Sequence, residues 1–257
     1  MNTSRNIEGL EIEPFSARSV ILSALLGSHP PVLPVRALVR LAELFDIRPG
    51  TARTSLSRMV ANGELTVAEG HYALAGRLLE RQREQDEGRH AITREWNGDW
   101  ITAIASGDRR TMAERRAFRQ AMIGSRFAEL RPDIWLRPAN VDNPRRPDEV
   151  IITRGPIEVD DTADLVDRLW PLAAIDARSQ QLIHLLTAHR AEVDQQDDRL
   201  LPTTFTISAA VVRFLRTEPQ LPNRLLRNDW SALELRPLYD DFATAFDQQL
   251  RRFFASE

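Results

Sequence analysis

Residues 34–63 read PVRALVRLAELFDIRPGTARTSLSRMVANG and contain two runs of apolar side chains at helical spacing. The first run ends at Phe45, and the second begins after the breaker Ile47-Arg48-Pro49-Gly50 and stops at Asn62-Gly63. A proline suits the first position of a helix, because its missing N–H would have no partner there. Two short helices joined by a tight turn predict a helix-turn-helix, whose second helix spans residues 49–62.

The segments on either side of this motif extend it into a larger module. Upstream, residues 16–27 carry apolar side chains at helical spacing and predict a first helix. Downstream, residues 65–67 and 72–74 flank a turn at 68–71 and predict a short β-hairpin. A helix, a helix-turn-helix and a hairpin in this order predict a winged helix-turn-helix that presents its recognition helix to DNA.

The polar side of the predicted recognition helix supplies most of the candidate DNA contacts. With one residue of the preceding helix and one of the hairpin, these side chains can contact phosphates or base edges. The candidate DNA-binding residues are Arg36, Thr51, Arg53, Thr54, Ser57, Arg58 and His71. Two other interpretations stay open: the polar side is a solvated helix surface, or the module makes only protein contacts.

Charge is unevenly distributed along the chain. The net charge is −3 over 257 residues, but residues 16–63 hold six arginines against two acids, a net charge of +4. All 34 basic residues are arginine, a side chain that suits phosphate and guanine contacts. The predicted DNA-binding module is therefore locally basic.

The composition excludes several other classes of protein. No cysteine is present, which excludes disulfides and thiolate metal sites, and the five histidines are scattered along the sequence. We therefore expect no catalytic residue, no metal site and no cofactor. No apolar run approaches the roughly 20 residues of a membrane-spanning helix, and residues 1–13 lack the pattern of a signal peptide. The sequence predicts a cytoplasmic protein.

The middle of the chain alternates between strand and helix patterns. Residues 77–94 are dense in charge and predict a partly helical, exposed connector that contains a domain boundary. Strand patterns at 100–105, 134–136 and 150–153, with a helix pattern at 109–122, predict a small α+β domain with an antiparallel sheet.

Three tryptophans, Trp96, Trp100 and Trp135, fall in this region. They could form a ligand box or a stacking platform, but large aromatic side chains in a small sheet are more often core residues. We therefore expect them in the core. The proline-rich residues 140–149 are expected to form a loop.

From residue 161 onward the sequence is dominated by helical patterns. Helices are predicted over residues 165–170, 173–192, 207–215 and 237–254, with proline-marked joints between them. The expected fold class is α+β. The expected domains are a winged helix-turn-helix at 1–78, a connector and middle domain at 79–158, and a helical C-terminal domain at 159–257.

Three groups of short motifs follow one another along the chain. They are SARSVIL (16–22) with LPVRALV (33–39) and LSRMV (56–60), then WNGDW (96–100) with IWLRP (134–138), then LPNRLL (221–226) with DW (229–230). In this order they resemble the PaaX family of bacterial repressors, which is named for the control of phenylacetate degradation. The motifs span nearly the whole chain, so the resemblance is more specific than a helix-turn-helix alone.

The resemblance implies a winged-helix reader, a ferredoxin-like middle domain similar to a small CRISPR-associated nuclease, and a helical C-terminal domain. It also implies a homodimer on a palindromic operator, released by an aryl-coenzyme A thioester, which is phenylacetyl-coenzyme A in the best-known members. By motif, Arg53, Ser57 and Arg58 fall on the recognition-helix positions of the family. The effector-binding residues stay unknown.

The chain departs from the family pattern at two places. Family members commonly end the first strand of the middle domain with an aspartate, where this chain has Ser106. Between Trp135 and Val150 there is no room for the second helix of a complete ferredoxin-like fold, so we expect an irregular sheet.

Three functions are weighed on these observations. The first is a DNA-binding transcriptional repressor relieved by an aryl- or acyl-coenzyme A effector. The second is a metal-dependent nuclease built on the middle domain, which Ser106 disfavours because such chemistry needs clustered carboxylates. The remaining acids, Asp99, Asp108 and Asp133, are better interpreted as turn or cap residues. The third is a winged-helix dimerisation adaptor that does not bind DNA.

Overall fold

A computed structural model describes residues 15–89, 93–105, 110–141, 150–195, 197–226 and 230–255. The fold is mixed α and β with two antiparallel sheets, which agrees with the expected α+β class. The chain forms two compact units, one of Met1–Asp86, Gln181–Val212 and Glu234–Glu257, and the other of Glu87–Gln180 and Arg213–Leu233. None of the described helices is both long and apolar enough to cross a bilayer.

The helices and strands have the following bounds. In chain order they are α1 (Ala17–Gly27), β1 (Val32–Pro34), α2 (Val35–Leu44), α3 (Pro49–Ala61), β2 (Leu65–Ala68), β3 (His71–Leu74), α4 (Arg77–Arg89), β4 (Trp100–Ala105), α5 (Met112–Gly124), β5 (Ala128–Arg131), β6 (Ile134–Pro138), β7 (Val150–Gly155), α6 (Thr162–Leu169), α7 (Leu172–Ala188), α8 (Arg190–Asp194), α9 (Leu201–Leu215) and α10 (Ala232–Ala255). Two short 3₁₀ helices lie at Asp198–Leu200 and Asn223–Leu225.

The first unit contains the three predicted N-terminal helices and the predicted hairpin, which are confirmed. Ser16 caps α1 by accepting a hydrogen bond from the Ser19 N–H, as expected for serine at this position. The sequence analysis missed β1, a strand of three residues that pairs with β3 and gives a sheet in the order β1-β3-β2. Strand β1 places the start of α2 against the hairpin, where the Val35 N–H donates to Gly70 O at 2.9 Å.

A small apolar cluster joins α2 to α3. Val39, Ala42 and Ala52 are buried, and Ile47 from the connecting turn packs against them. The alanines let the two helices approach closely, and Asp46 turns the chain with a φ of 60°, which aspartate tolerates better than most residues. This cluster fixes the orientation of α3 on α2.

Helix α4 is more than the exposed connector that the sequence predicts. Leu78 and Gln82 are buried, and Gln82 Nε2 donates to the backbone oxygens of Leu26 at 3.1 Å and Ser28 at 2.9 Å. These hydrogen bonds satisfy carbonyls at the end of α1 that have no partner within the helix. The division between the two compact units falls after Asp86, inside the predicted connector.

The second unit is built on a four-stranded antiparallel sheet in the order β5-β6-β4-β7. One side carries Trp100 and Leu136, which pack with Leu165, and the other carries Ala103 and Trp135, which pack with Met122 of α5. Trp96 packs against the first of these clusters. The expectation that the tryptophans are core residues is therefore confirmed for Trp100 and Trp135, whereas Trp96 is only partly buried.

Several predicted bounds are corrected by the structure. Strand β5 was not predicted, because its short AELR sequence has no strong β pattern. The single helix predicted at 173–192 is two helices, α7 and α8, separated at His189, whose φ of −101° and ψ of 8° leave the helical range. Helix α10 begins before Pro237, where the sequence predicts its start, and contains that proline in its interior.

Some expectations cannot be compared with the structure. Ser106, Asp108 and residues 142–149 of the predicted loop lie outside the described residues. Residues after 159 are divided between the two compact units, and the three-domain division at 78 and 158 stays a prediction.

Candidate nucleic-acid interface

Helix α3 has one buried side and one exposed side. Ala52, Leu56 and Met59 are at most 1% exposed, so they anchor the helix in the first unit. The predicted contact residues of this helix are all exposed, namely Thr51, Arg53, Thr54, Ser57 and Arg58. The polar side therefore faces outward, as a surface that contacts a partner must.

The hydroxyl groups on this surface are oriented by the helix itself. Thr54 Oγ1 donates to Gly50 O at 2.9 Å, and Ser57 Oγ donates to Arg53 O at 3.1 Å. Because each hydroxyl hydrogen is used inside the helix, the oxygen lone pairs are left as acceptors facing outward. Such acceptors suit amino groups of base edges more than phosphate oxygens.

The six arginines of residues 16–63 divide into two groups. Arg18 is bound to Glu64, and Arg40 lies over the Phe253 ring with its Cζ 4.7 Å from the centroid. The other four are exposed and have no ion-pair partner in the described part of the chain; they are Arg36, Arg48, Arg53 and Arg58. The positive charge available to a partner is thus concentrated on α2, α3 and the turn between them.

Arg48 is a candidate that the sequence analysis overlooked. It occupies the N-cap of α3, immediately before Pro49, and its side chain makes no capping hydrogen bond. Its position in the sequence could have identified it, because residues at the start of a recognition helix lie close to the DNA. The first turn of α3 contains no acidic residue, so its free N–H groups favour an anion.

The hairpin β2–β3 ends in a tight turn. Glu69 and Gly70 have φ values of 48° and 75°, the positive pair typical of a type I′ turn. His71 Nδ1 lies 3.1 Å from Glu69 O, and since a carbonyl oxygen only accepts, Nδ1 carries the hydrogen and Nε2 is left for a partner. The hairpin thus carries two exposed side chains at its turn, Glu69 and His71.

The register of the sheet relates two further candidates, His71 and Arg36. His71 pairs with Pro34 in the sheet, and Arg36 lies two residues further along, in the first turn of α2. The five candidates on α3 share one exposed helix side. No group of three His, Asp or Glu side chains within the described ranges could hold a metal ion.

These features define a small helical module with an exposed, arginine-bearing helix, and the comparisons identify it. The sequence pattern of PaaX-like proteins matches residues 16–78, the segment that contains α1 to β3. This match assigns residues 16–78 to the PaaX-like protein family, which indicates a regulator-type protein.

A solved structure extends the similarity beyond this segment. The uncharacterized protein Rv0674 from Mycobacterium tuberculosis is 36% identical, and the match covers 93% of this chain and 98% of that chain with a TM-score of 0.68. Among curated proteins, none matches this chain.

Proposed function

We propose that the chain is a sequence-specific DNA-binding transcriptional regulator whose residues 16–78 form a winged helix-turn-helix. The observation that carries the proposal is the exposed set of Arg36, Arg48, Arg53 and Arg58 around α3, without ion-pair partners in the described ranges. Guanidinium groups that are not neutralised by the protein attract the phosphates of a duplex and release its counterions.

In this proposal α3 enters the major groove and the β2–β3 hairpin acts as the wing. Arg53 and Arg58 contact base edges or phosphates, and Thr51, Thr54 and Ser57 complete the surface of α3. Arg36 and His71 contact the backbone beside the groove. The order of helices and strands from α1 to β3 supports the winged-helix assignment.

The proposed regulator acts in the cytoplasm as a homodimer that represses transcription from a palindromic operator. The resemblance to the PaaX family supports this sign of regulation, and supports release by an aryl- or acyl-coenzyme A effector. The order of β4, α5, β5, β6 and β7 along the chain, and the order β5-β6-β4-β7 in the sheet, support a ferredoxin-like middle domain.

The proposal is tested by gel shift with promoter DNA of the neighbouring genes at one fixed salt concentration. Arg53→Ala and Arg58→Ala should each cost roughly 1–3 kcal/mol of binding free energy. The matched control is Arg168→Ala, which removes an exposed arginine of α6 in the second unit. Wild-type affinity in both α3 variants would remove α3 from the interface.

A second series of gel shifts with the wild type at increasing salt concentrations separates the regulator from an adaptor that binds only protein. Affinity for DNA should fall steeply as the salt concentration rises, because each phosphate contact releases counterions. A chain that dimerises but is not retained on DNA at low salt would be an adaptor.

A further inference from the structure

The second unit contains a cleft whose lining is rich in arginine. The cleft has a volume of about 680 Å³ and lies between α5 and the turn that joins β5 to β6. Its lining includes Arg110, Arg115, Arg116, Arg119, Phe118 and Trp135. A concave site of roughly 300–1,000 Å³ is the size that holds a small organic ligand.

Two of these arginines are held in place by aromatic rings and acids. Arg110 Cζ lies 4.0 Å from the Phe118 centroid, and its Nη1 is 3.9 Å from Asp133 Oδ1. Arg119 forms an ion pair with Glu129, and its Cζ is 5.7 Å from the Trp135 centroid. A guanidinium that is stacked on a ring is preorganised, so it loses less rotamer entropy when it binds an anion.

The other two arginines carry charge that the protein does not neutralise. Arg115 and Arg116 are exposed, and neither has a hydrogen-bond or ion-pair partner for its side chain among the residues the structure describes. Arg115 also lies four residues before Arg119 on α5, and like charges at this spacing destabilise a helix. With Glu129 and Asp133 counted, the four arginines leave the lining with a net charge of +2.

We propose that this cleft binds the phosphate group of a small organic phosphate ester. Arginine presents its N–H donors in a fork that matches two phosphate oxygens, and a phosphate ester carries close to two negative charges near neutral pH. Met112, which is 82% exposed at the cleft, offers an apolar contact for the organic part of the ligand.

The concave shape favours a small molecule over a DNA backbone. A duplex presents its phosphates along a convex surface, whereas the stacked Arg110 and Arg119 lie within the lining of a cleft. As an effector site the cleft rests on the proposed regulator function, but its ligand binding is measured without DNA.

The test is isothermal titration of the full chain with inorganic pyrophosphate, adenosine diphosphate and adenosine at constant ionic strength. The test variant is Arg115→Ala with Arg116→Ala. Its control is Arg168→Ala with Arg224→Ala, which removes two exposed arginines outside the cleft. We expect both phosphates to bind the wild type and the control, and to bind the test variant at least about tenfold more weakly. Adenosine should not bind.

Two outcomes would overturn the proposal. The first is the absence of binding of either phosphate by the wild type, and the second is equal phosphate affinity in the wild type and the test variant. In the second case, weaker binding of promoter DNA by the test variant would assign these arginines to DNA. Circular dichroism and the melting temperature without ligand verify that each variant is folded.

Discussion

Glu64 accepts two hydrogen bonds from the Arg18 guanidinium, from Nη2 to Oε1 at 2.5 Å and from Nε to Oε2 at 3.2 Å. This pair connects α1 to the residue that precedes β2, and it raises the pKa of Arg18 chiefly through the hydrogen bonds to the carboxylate. Arg18 is therefore a structural arginine, although it lies in the same basic segment as the candidate DNA contacts.

Arg18→Ala should lower the free energy of unfolding and leave DNA affinity unchanged. Both side chains are partly exposed, so we expect a loss of only about 0.5–1 kcal/mol in urea denaturation. Glu64→Ala should cost about the same, and the double variant should cost little more than either single change. A large loss of DNA affinity in Arg18→Ala would contradict this assignment.

Phe205→Ala should destabilise the first unit by about 3–5 kcal/mol. The Phe205 ring is 3% exposed and contacts three others, with centroids 6.0 Å from Phe15, 5.5 Å from Phe45 and 6.2 Å from Phe246. Phe205→Leu should cost less because it keeps most of the apolar volume. A loss below 1 kcal/mol for the alanine variant in urea denaturation would show that these rings contribute little.

Glu69→Gln should raise DNA affinity if the hairpin is the wing. The carboxylate lies at the exposed tip of the β2–β3 turn, where it would repel phosphates. Removing one charge several ångströms from a phosphate should strengthen binding about twofold to threefold at low salt, measured by fluorescence anisotropy. The control is Glu158→Gln, an exposed acid of the second unit. Unchanged affinity in Glu69→Gln would place the hairpin tip away from DNA.

Arg137→Met should stabilise the second unit. Arg137 is 1% exposed, its Nε has no hydrogen-bond partner, and its Nη1 donates to Pro138 O at 3.3 Å. A buried cation without an acid partner costs free energy that a flexible apolar side chain of similar volume does not. We expect a gain of about 1–3 kcal/mol in the free energy of unfolding.

The pH dependence of that gain follows from the pKa of Arg137. Burial, with the like charges of Arg94 and Arg154, lowers this pKa to about 10. Below pH 10 the side chain is charged in both the folded and the unfolded state, so burying the charge lowers the stability of the wild type by its full amount. Above pH 10 the folded state loses its proton before the unfolded state does, and the wild type regains stability. The difference between Arg137→Met and the wild type should therefore shrink in thermal melts above pH 10, and an unchanged difference would contradict this cause.

Local signals predicted the secondary structure of residues 16–74 almost completely. Apolar residues at helical spacing, Pro49 at the start of α3 and Asn62-Gly63 after it act within one or two turns of chain. Strand β1 was missed because three residues are too few to show an alternating pattern, and β5 was missed because its AELR sequence contains no β-branched or aromatic residue. Their pairing with distant strands stabilises them.

The exposed side of α3, and with it the candidate DNA-binding surface, followed from the sequence alone because helical periodicity separates buried from exposed positions. Tertiary structure decided which arginines remain available for contact with DNA. In the sequence, Arg18 and Arg40 are helix arginines like Arg53 and Arg58. In the structure, however, Arg18 binds Glu64, which is 46 residues away in sequence, and Arg40 lies over the ring of Phe253, which is 213 residues away. Electrostatic and π contacts depend on distance in space, which no local pattern of residues encodes.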